Sequence, residues 1–488
     1  MDGADKSVVT IRYEGRPLRC RGDTSVAVAL WETGVKVLSH SPKYGRPRGL
    51  YCARGHCTSC LMRIDGIPNV RACLTPVHDG MRVERQDAGA FYGRPLQRVM
   101  AAGSDFFPVG FYYKWFTRPA VVSRLFLKML RPLTGVGRLP EPGAWTGGVS
   151  PLPAAESPAA AVGAIAAVAG EAGRDLGVFD TVIIGAGAAG LRAAAAARGR
   201  ILLVDDHAAP GGQRRAAFAA VADALGERLV TLPALARAHA TLEQSVRALT
   251  PRSGLELAFG NRAAGGYHPD TLVIRGNRGL SLLRARQLVW AAGGLDVTGL
   301  FPGNDRPSLF GPRGLYRAVT RDGLAVRGRQ ALVAGGGLDL WLAAALLHAR
   351  GARVTIALGE TGWAEEVTTA VALGWKVHTG LRVSAAFGGG GALESVRLDA
   401  PDGGESRVTI DCELAVVCER GKPAYDIPYQ LGADLVLSTA RGGYILRGTE
   451  GETAEALLPG GLRLTVAGEA TGDRVEAVLR AAGEVGST

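Results

Sequence analysis

No apolar run in this 488-residue chain reaches the roughly 18 residues that a membrane-crossing helix needs. The opening, MDGADKSVVTIRYEG, lacks a basic region followed by an apolar stretch, so no secretory leader is read there and a cytoplasmic chain is expected. Lysine is scarce. The 56 basic residues are overwhelmingly arginine and face 45 acids, giving a formal charge of +11. The arginines stand singly and no nucleic-acid motif accompanies them, so the excess does not mark a nucleic-acid partner. The eight histidines show no metal spacing, and no Ser-His-Asp arrangement or paired carboxylate suggests hydrolytic chemistry. Cysteine is sparse too, yet four of the seven fall between Cys52 and Cys73.

What is present is an α/β pattern too long for one core. Residues 1–92 read as a small β-rich unit. VVTIRYEGRPLRC alternates apolar and polar residues and turns at Gly15, and DTSVAVALWETG has helical spacing, with Asp23 or Thr24 available as a cap and Gly34 as a stop. Asp65-Gly66 marks a second hairpin. Hairpin then helix is the opening of a β-grasp fold. Residues 93–177 are rich in Pro, Gly and Ala and read as a connector. It carries the aromatic stretch Phe106–Phe116 and a possible alanine helix at 159–169. Residues 178–302 begin a dinucleotide-type domain, 303–424 an inserted second one, and 425–488 return to the first.

In the first βαβ unit, Gly185, Gly187 and Gly190 form G-x-G-x-x-G between an apolar strand and an alanine-rich helix. The first glycine permits the turn, the second lets backbone approach a pyrophosphate, and the third lets helix pack on strand. The next strand, ILLVDD, ends in Asp205 and Asp206, one of which is expected to accept the ribose hydroxyls of an adenine nucleotide. PGGQRR, with Gly212 and Gln213, and TVAGEATGD, with Gly468 and Glu469, add specificity. Together these resemble the two-dinucleotide-domain flavoprotein fold of glutathione and thioredoxin reductases. That resemblance implies FAD at the first site, with the late acid on the flavin's ribityl chain. In the second unit Gly335 and Gly337 fit, but Leu340 replaces the third glycine, which leaves a weak NAD-like signal and favours a structural remnant.

The four clustered cysteines, Cys52, Cys57, Cys60 and Cys73, are spaced C-x4-C-x2-C-x12-C, and the first three match the plant-type [2Fe–2S] loop. The wide first gap, with Gly55 inside it, lets backbone amides turn toward the sulfurs. Zinc asks for two close pairs and finds one. A redox dithiol in CTSC would have two unexplained neighbours. A [2Fe–2S] cluster uses all four.

With GRPRGLYC, RACLTPVHDGM, PVGFYYKWF, DTVIIGAGAAGL, DDHAAPGGQ and FPGNDRP on the page, the chain resembles the α-subunit type of heteromeric sarcosine oxidase, L-proline dehydrogenase and hydrogen cyanide synthase complexes. The resemblance runs from about Val8 to Gly472. It implies a [2Fe–2S] cluster, an adenine nucleotide in the first βαβ unit (FAD, with NAD and ATP also known among such subunits), and FMN at a subunit junction. It implies a glycine-oxidase-like FAD β-subunit that oxidises a small amine or amino acid, with this chain relaying the electrons. Two other roles stay open: a self-sufficient NAD(P)H-dependent reductase, and a scaffold subunit with a structural nucleotide.

Overall fold

The computed structural model describes residues 8–41, 46–86, 119–124, 174–267, 270–276, 279–389, 391–401, 404, 406–441, 443–447 and 453–471. The aromatic stretch Phe106–Phe116 and the alanine run 159–169 lie outside them. The N-terminal module contains β1 (Val8–Tyr13), β2 (Arg16–Arg21), α1 (Val26–Glu32), β3 (Leu61–Ile64), β4 (Ile67–Arg71) and β5 (Arg82–Arg85). Their sheet order is β2-β1-β5-β3-β4, with β1 and β5 parallel in the β-grasp manner. Both hairpins turn on left-handed pairs, Glu14-Gly15 and Asp65-Gly66.

Val26 to Trp31 of α1 are all buried, and a helix apolar all round must be packed on more than one side. One side is the module's sheet. On the other, Trp31 Nε1 donates to Ser308 Oγ at 3.2 Å. The N-cap is Ser25 rather than Asp23 or Thr24, and it makes no side-chain cap bond. Its hydroxyl reaches Asp322 Oδ2 at 3.2 Å, Thr24 Oγ1 donates to Asp322 O at 2.7 Å, and Arg21 donates to the carbonyls of Asp322 and Gly323. The cap chemistry has been redirected to docking. One continuous core joins this module to the helices of the second nucleotide fold.

The first nucleotide fold contains β6 (Arg174–Ile184), α2 (Ala188–Ala196), β7 (Ile201–Asp205), α3 (Arg215–Leu225), α4 (Pro233–Arg247), β8 (Leu255–Phe259), β9 (Arg262–Tyr267), β10 (Thr271–Gly276) and β11 (Gly279–Trp290). β6 starts four residues ahead of the apolar run at Val178, because Arg174 and Asp175 pair with Ser281 and Leu282 of β11. β8, β7, β6 and β11 lie side by side in parallel. Such a sheet, covered on both faces, explains the unbroken apolar runs in its central strands.

The second fold follows, with β12 (Leu309–Phe310), α5 (Pro312–Thr320), β13 (Gln330–Gly335), α6 (Gly337–Ala349), β14 (Arg353–Leu358), β15 (Lys376–Thr379) and, after a small antiparallel sheet, β16 (Leu414–Cys418). Its parallel order is β12-β16-β13-β14-β15. The chain then returns to the first sheet through β17 (Thr453–Leu457) and β18 (Arg463–Ala467), with β18 parallel to β11.

Candidate redox site

The cysteine loop lies between α1 and β3. Ala53 (φ 47) and Gly55 (φ 76) take left-handed backbone. The positive φ of Gly55 is what calls for glycine there, while the nearest neighbour of a β-carbon, Leu74 Cδ1 at 2.6 Å, is the tip of an exposed side chain that can swing aside. The curl brings Cys57 N to donate to Cys52 Sγ at 3.3 Å and Arg54 N to the same sulfur at 3.5 Å. The thiols converge: Cys52 bonds those of Cys57 and Cys73, and Cys60 bonds that of Cys73. These bonds hold Cys52 and Cys60 below the ordinary thiol range and push Cys57 and Cys73 above it. Four sulfurs with backbone amides turned toward them are the donor set a [2Fe–2S] cluster requires.

Beside this loop, at the ends of β6 and β7, is a cavity of ≈ 400 Å³. Gly185, Gly187, Asp205 and Asp206 line it, as do Gly212, Gln213, Gly468 and Glu469. Gly190 does not reach the cavity. It lets α2 pack on the turn, since a β-carbon there would stand 1.8 Å from Gly185 O. Gly187 opens the other way, with nothing within 4 Å of its virtual β-carbon. The cavity therefore meets the N-terminus of α2, where amides and helix dipole favour phosphate. Gln213 Oε1 is buried with no donor among the described residues. An orphaned acceptor and an open glycine floor are what a bound nucleotide would satisfy.

The two acids at the end of β7 divide their work. Asp205 turns inward: its Oδ2 accepts from Ala186 N at 2.6 Å and its Oδ1 from His207 N at 2.8 Å. Asp206 is the more open of the pair and takes Arg262 at 2.7 Å. His207 Nδ1 lies 2.8 Å from Asp205 and 3.0 Å from Asp206. Burial opposes its charge, but the bonds to these carboxylates outweigh burial and hold its pKa up to about 9.

At the other end Glu469 is already engaged. Arg214 donates to both its oxygens, at 2.7 and 2.9 Å, and Arg313 to Oε1 at 2.5 Å. Arg214 also clamps Asp339 at 2.6 and 2.7 Å, Tyr316 donates to Asp339 Oδ1 at 2.9 Å, and Arg313 pairs with Asp296 at 2.8 Å. Asp339 sits in the first turn of α6. The weak glycine motif of the second fold therefore does not line the cavity. Its own helix start carries the chain's carboxylate, Leu340 is fully buried in place of a third glycine, and Glu360 packs where a β-carbon on Gly336 would be.

Two residues of the cysteine loop, Arg54 and His56, belong to the wall of the first cavity. A second cavity of ≈ 590 Å³ opens beyond Cys57, lined among others by Tyr51, Arg48, Asp296, Asn304 and Arg306. The cysteine loop thus stands between two cavities. Arg54, His56, Arg214, Arg313 and Asp339 are not singled out as site residues by the sequence: Arg214 follows Gln213 in PGGQRR and Asp339 lies within the second glycine turn, but none occupies a position that a motif defines.

Residues 6–88 match the family model described as a 2Fe-2S iron-sulfur cluster binding domain. The hydrogen cyanide synthase subunit HcnA of Pseudomonas aeruginosa is 37% identical over 78 residues, covering 16% of this chain and 74% of HcnA. The chain belongs to this iron–sulfur subunit family. The sarcosine oxidase subunit alpha of Rhizobium meliloti is 27% identical over 221 residues, covering 43% of this chain but 20% of that subunit. L-Proline dehydrogenase from P. horikoshii has the same fold, with a TM-score of 0.55 at 16% identity over 99% of this chain and 73% of that one. The chain thus joins a 2Fe-2S binding domain to a fold it shares with L-proline dehydrogenase. Among its described residues no helix is long and apolar enough to cross a membrane.

Proposed function

We propose that this chain is the electron-relay subunit of a heteromeric amine or amino-acid oxidase or dehydrogenase acting on CH–NH donors. Cys52, Cys57, Cys60 and Cys73 hold a [2Fe–2S] cluster, and the cavity at α2 holds FAD or, in its place, NAD or ATP. A glycine-oxidase-like FAD β-subunit handles the small substrate, with FMN at the junction. The observation that carries the reading is the shared wall, in which Arg54 and His56 project from the cysteine loop into the nucleotide cavity. When bound, a flavin exchanges electrons in pairs or singly and a [2Fe–2S] cluster exchanges them singly, so neighbours of this kind convert one to the other.

The chain's own groups supply the setting. The Arg54 and Cys57 amides stabilise charge on the Cys52 sulfur. Asp206 offers its carboxylate at the ribose end, and the α2 N-terminus faces the phosphates. Arg214 and Arg313 fix the Glu469 carboxylate at the far end. Leu340, fully buried in place of the third glycine of the second motif, weighs against a self-sufficient NAD(P)H reductase.

Anaerobic purification with a co-expressed β-subunit, followed by assay of iron, sulfide and released nucleotides, tests this reading. Two irons and two sulfides per chain with one adenine nucleotide are expected, together with a paramagnetic signal on adding amine. Rapid flavin bleaching by NADH without any partner would instead favour the reductase. Undiminished turnover of the complex after Cys57→Ser would reduce the chain to a scaffold.

A further inference from the structure

Arg54 has only 8% of its surface exposed and lines the nucleotide cavity, yet its side chain makes no hydrogen bond or ion pair among the described residues: Asp206 and Asp296 act on it only through space, and burial still outweighs them. The other two arginines on that wall are committed, Arg262 to Asp206 and Arg214 to Asp339 and Glu469. A buried guanidinium that no acceptor contacts directly is costly unless a bound anion meets it. The wall it shares includes Gly187 and Ala188 at the start of α2, where amides and dipole also call for an anion. Two independent features of one cavity therefore ask for the same ligand chemistry, and a guanidinium fork matches phosphate oxygens in particular.

We propose that Arg54 is the phosphate-binding cation of this cavity, supplied by the iron–sulfur loop, and that cluster and nucleotide are consequently held cooperatively. The proposal rests on the cavity being an adenine-nucleotide site. Arg54 lies between two cluster cysteines, and its backbone N–H points at Cys52 Sγ while its side chain enters the cavity. A phosphate that fixes the side chain also fixes the loop that presents the sulfur. By linkage, a formed cluster presents the arginine already ordered, and each ligand strengthens the other by the same factor.

The test uses the full chain stripped of nucleotide, titrated calorimetrically with ADP, FAD and adenosine. Wild type should bind ADP and FAD well above adenosine. Arg54→Ala should lose roughly 10- to 100-fold on ADP and FAD and little on adenosine, as for a charge-assisted bond to phosphate, with Arg54→Lys in between. Iron release to a chelator should be slower with ADP bound in wild type and indifferent to ADP in Arg54→Ala. If Arg54→Ala fails to take up its cluster, Arg54→Lys decides by the ratio of ADP to adenosine affinity, which must fall. Unchanged ADP affinity in the variants overturns the assignment alone. Wild type that binds none of the three overturns the nucleotide reading with it.

Discussion

Gly314 of α5 lies against the carbonyl of Tyr51, close enough that a β-carbon on it would stand 2.1 Å from that oxygen and 3.0 Å from Cys52 Cα. The second nucleotide fold thus presses directly on the backbone carrying the first cysteine. Gly314→Ala must displace one or the other, at about 1–3 kcal/mol for overpacking. The expected outcome is a lower iron and sulfide content per chain, although no cysteine has changed. A fully loaded cluster with an unaltered paramagnetic signal would show that the contact does not hold the loop.

Two glycines of one motif should fail in different ways. A β-carbon on Gly190 collides with Gly185 O, whereas one on Gly187 enters open cavity. Gly190→Ala is therefore expected to lower the denaturation midpoint, by about 1–3 kcal/mol or more. Gly187→Val should leave the midpoint of nucleotide-free protein nearly unchanged while abolishing nucleotide uptake. Equilibrium unfolding and binding titration on both variants separate the two effects.

Arg313 is 2% exposed and joins Asp296 to Glu469. Removing one partner of a buried ionic group leaves uncompensated charge, so Arg313→Met should cost about 3–5 kcal/mol. Arg313→Met with Asp296→Asn should recover part of that loss. A double variant as unstable as the sum of its singles would mean that the pair does not interact energetically.

His207 carries a proton more firmly in the folded chain than in the unfolded one, with a pKa of about 9 against 6.5. Its stabilising contribution is complete below pH 6.5 and disappears as pH rises through 9. Thermal melts of nucleotide-free protein should show stability falling across that window, and His207→Gln should flatten the fall. An identical slope in the variant would place the titrating group elsewhere.

Local chemistry made the glycine turn, the cysteine loop and the Asp65-Gly66 hairpin legible, since each is written in consecutive residues whose torsions or ligand types have few alternatives. Leu340 already marks the second glycine motif as the weaker one, but the clamp that Arg214 places on Asp339 at that helix start, from 125 residues away, is written in no local pattern. Arg54 sat in plain view between two cysteines. Its role depends on which wall the loop faces, and no spacing encodes that. Ser25 holds the N-cap position expected of Asp23 or Thr24, and its hydroxyl turns from the helix to Asp322, 297 residues on, a partner no local pattern reveals.

That long reach bears on how the protein comes to exist. Trp31 meets Ser308 and Thr24 meets Asp322, separations of 277 and 298 residues. At bacterial-like elongation speeds the intervening chain takes roughly 15–60 s to appear. The amino-terminal module leaves the ribosome with one flank of its helix bare and must wait through that interval for its seat. Completion of the iron-binding end is thus a late event in biogenesis, timed by translation of the distant half.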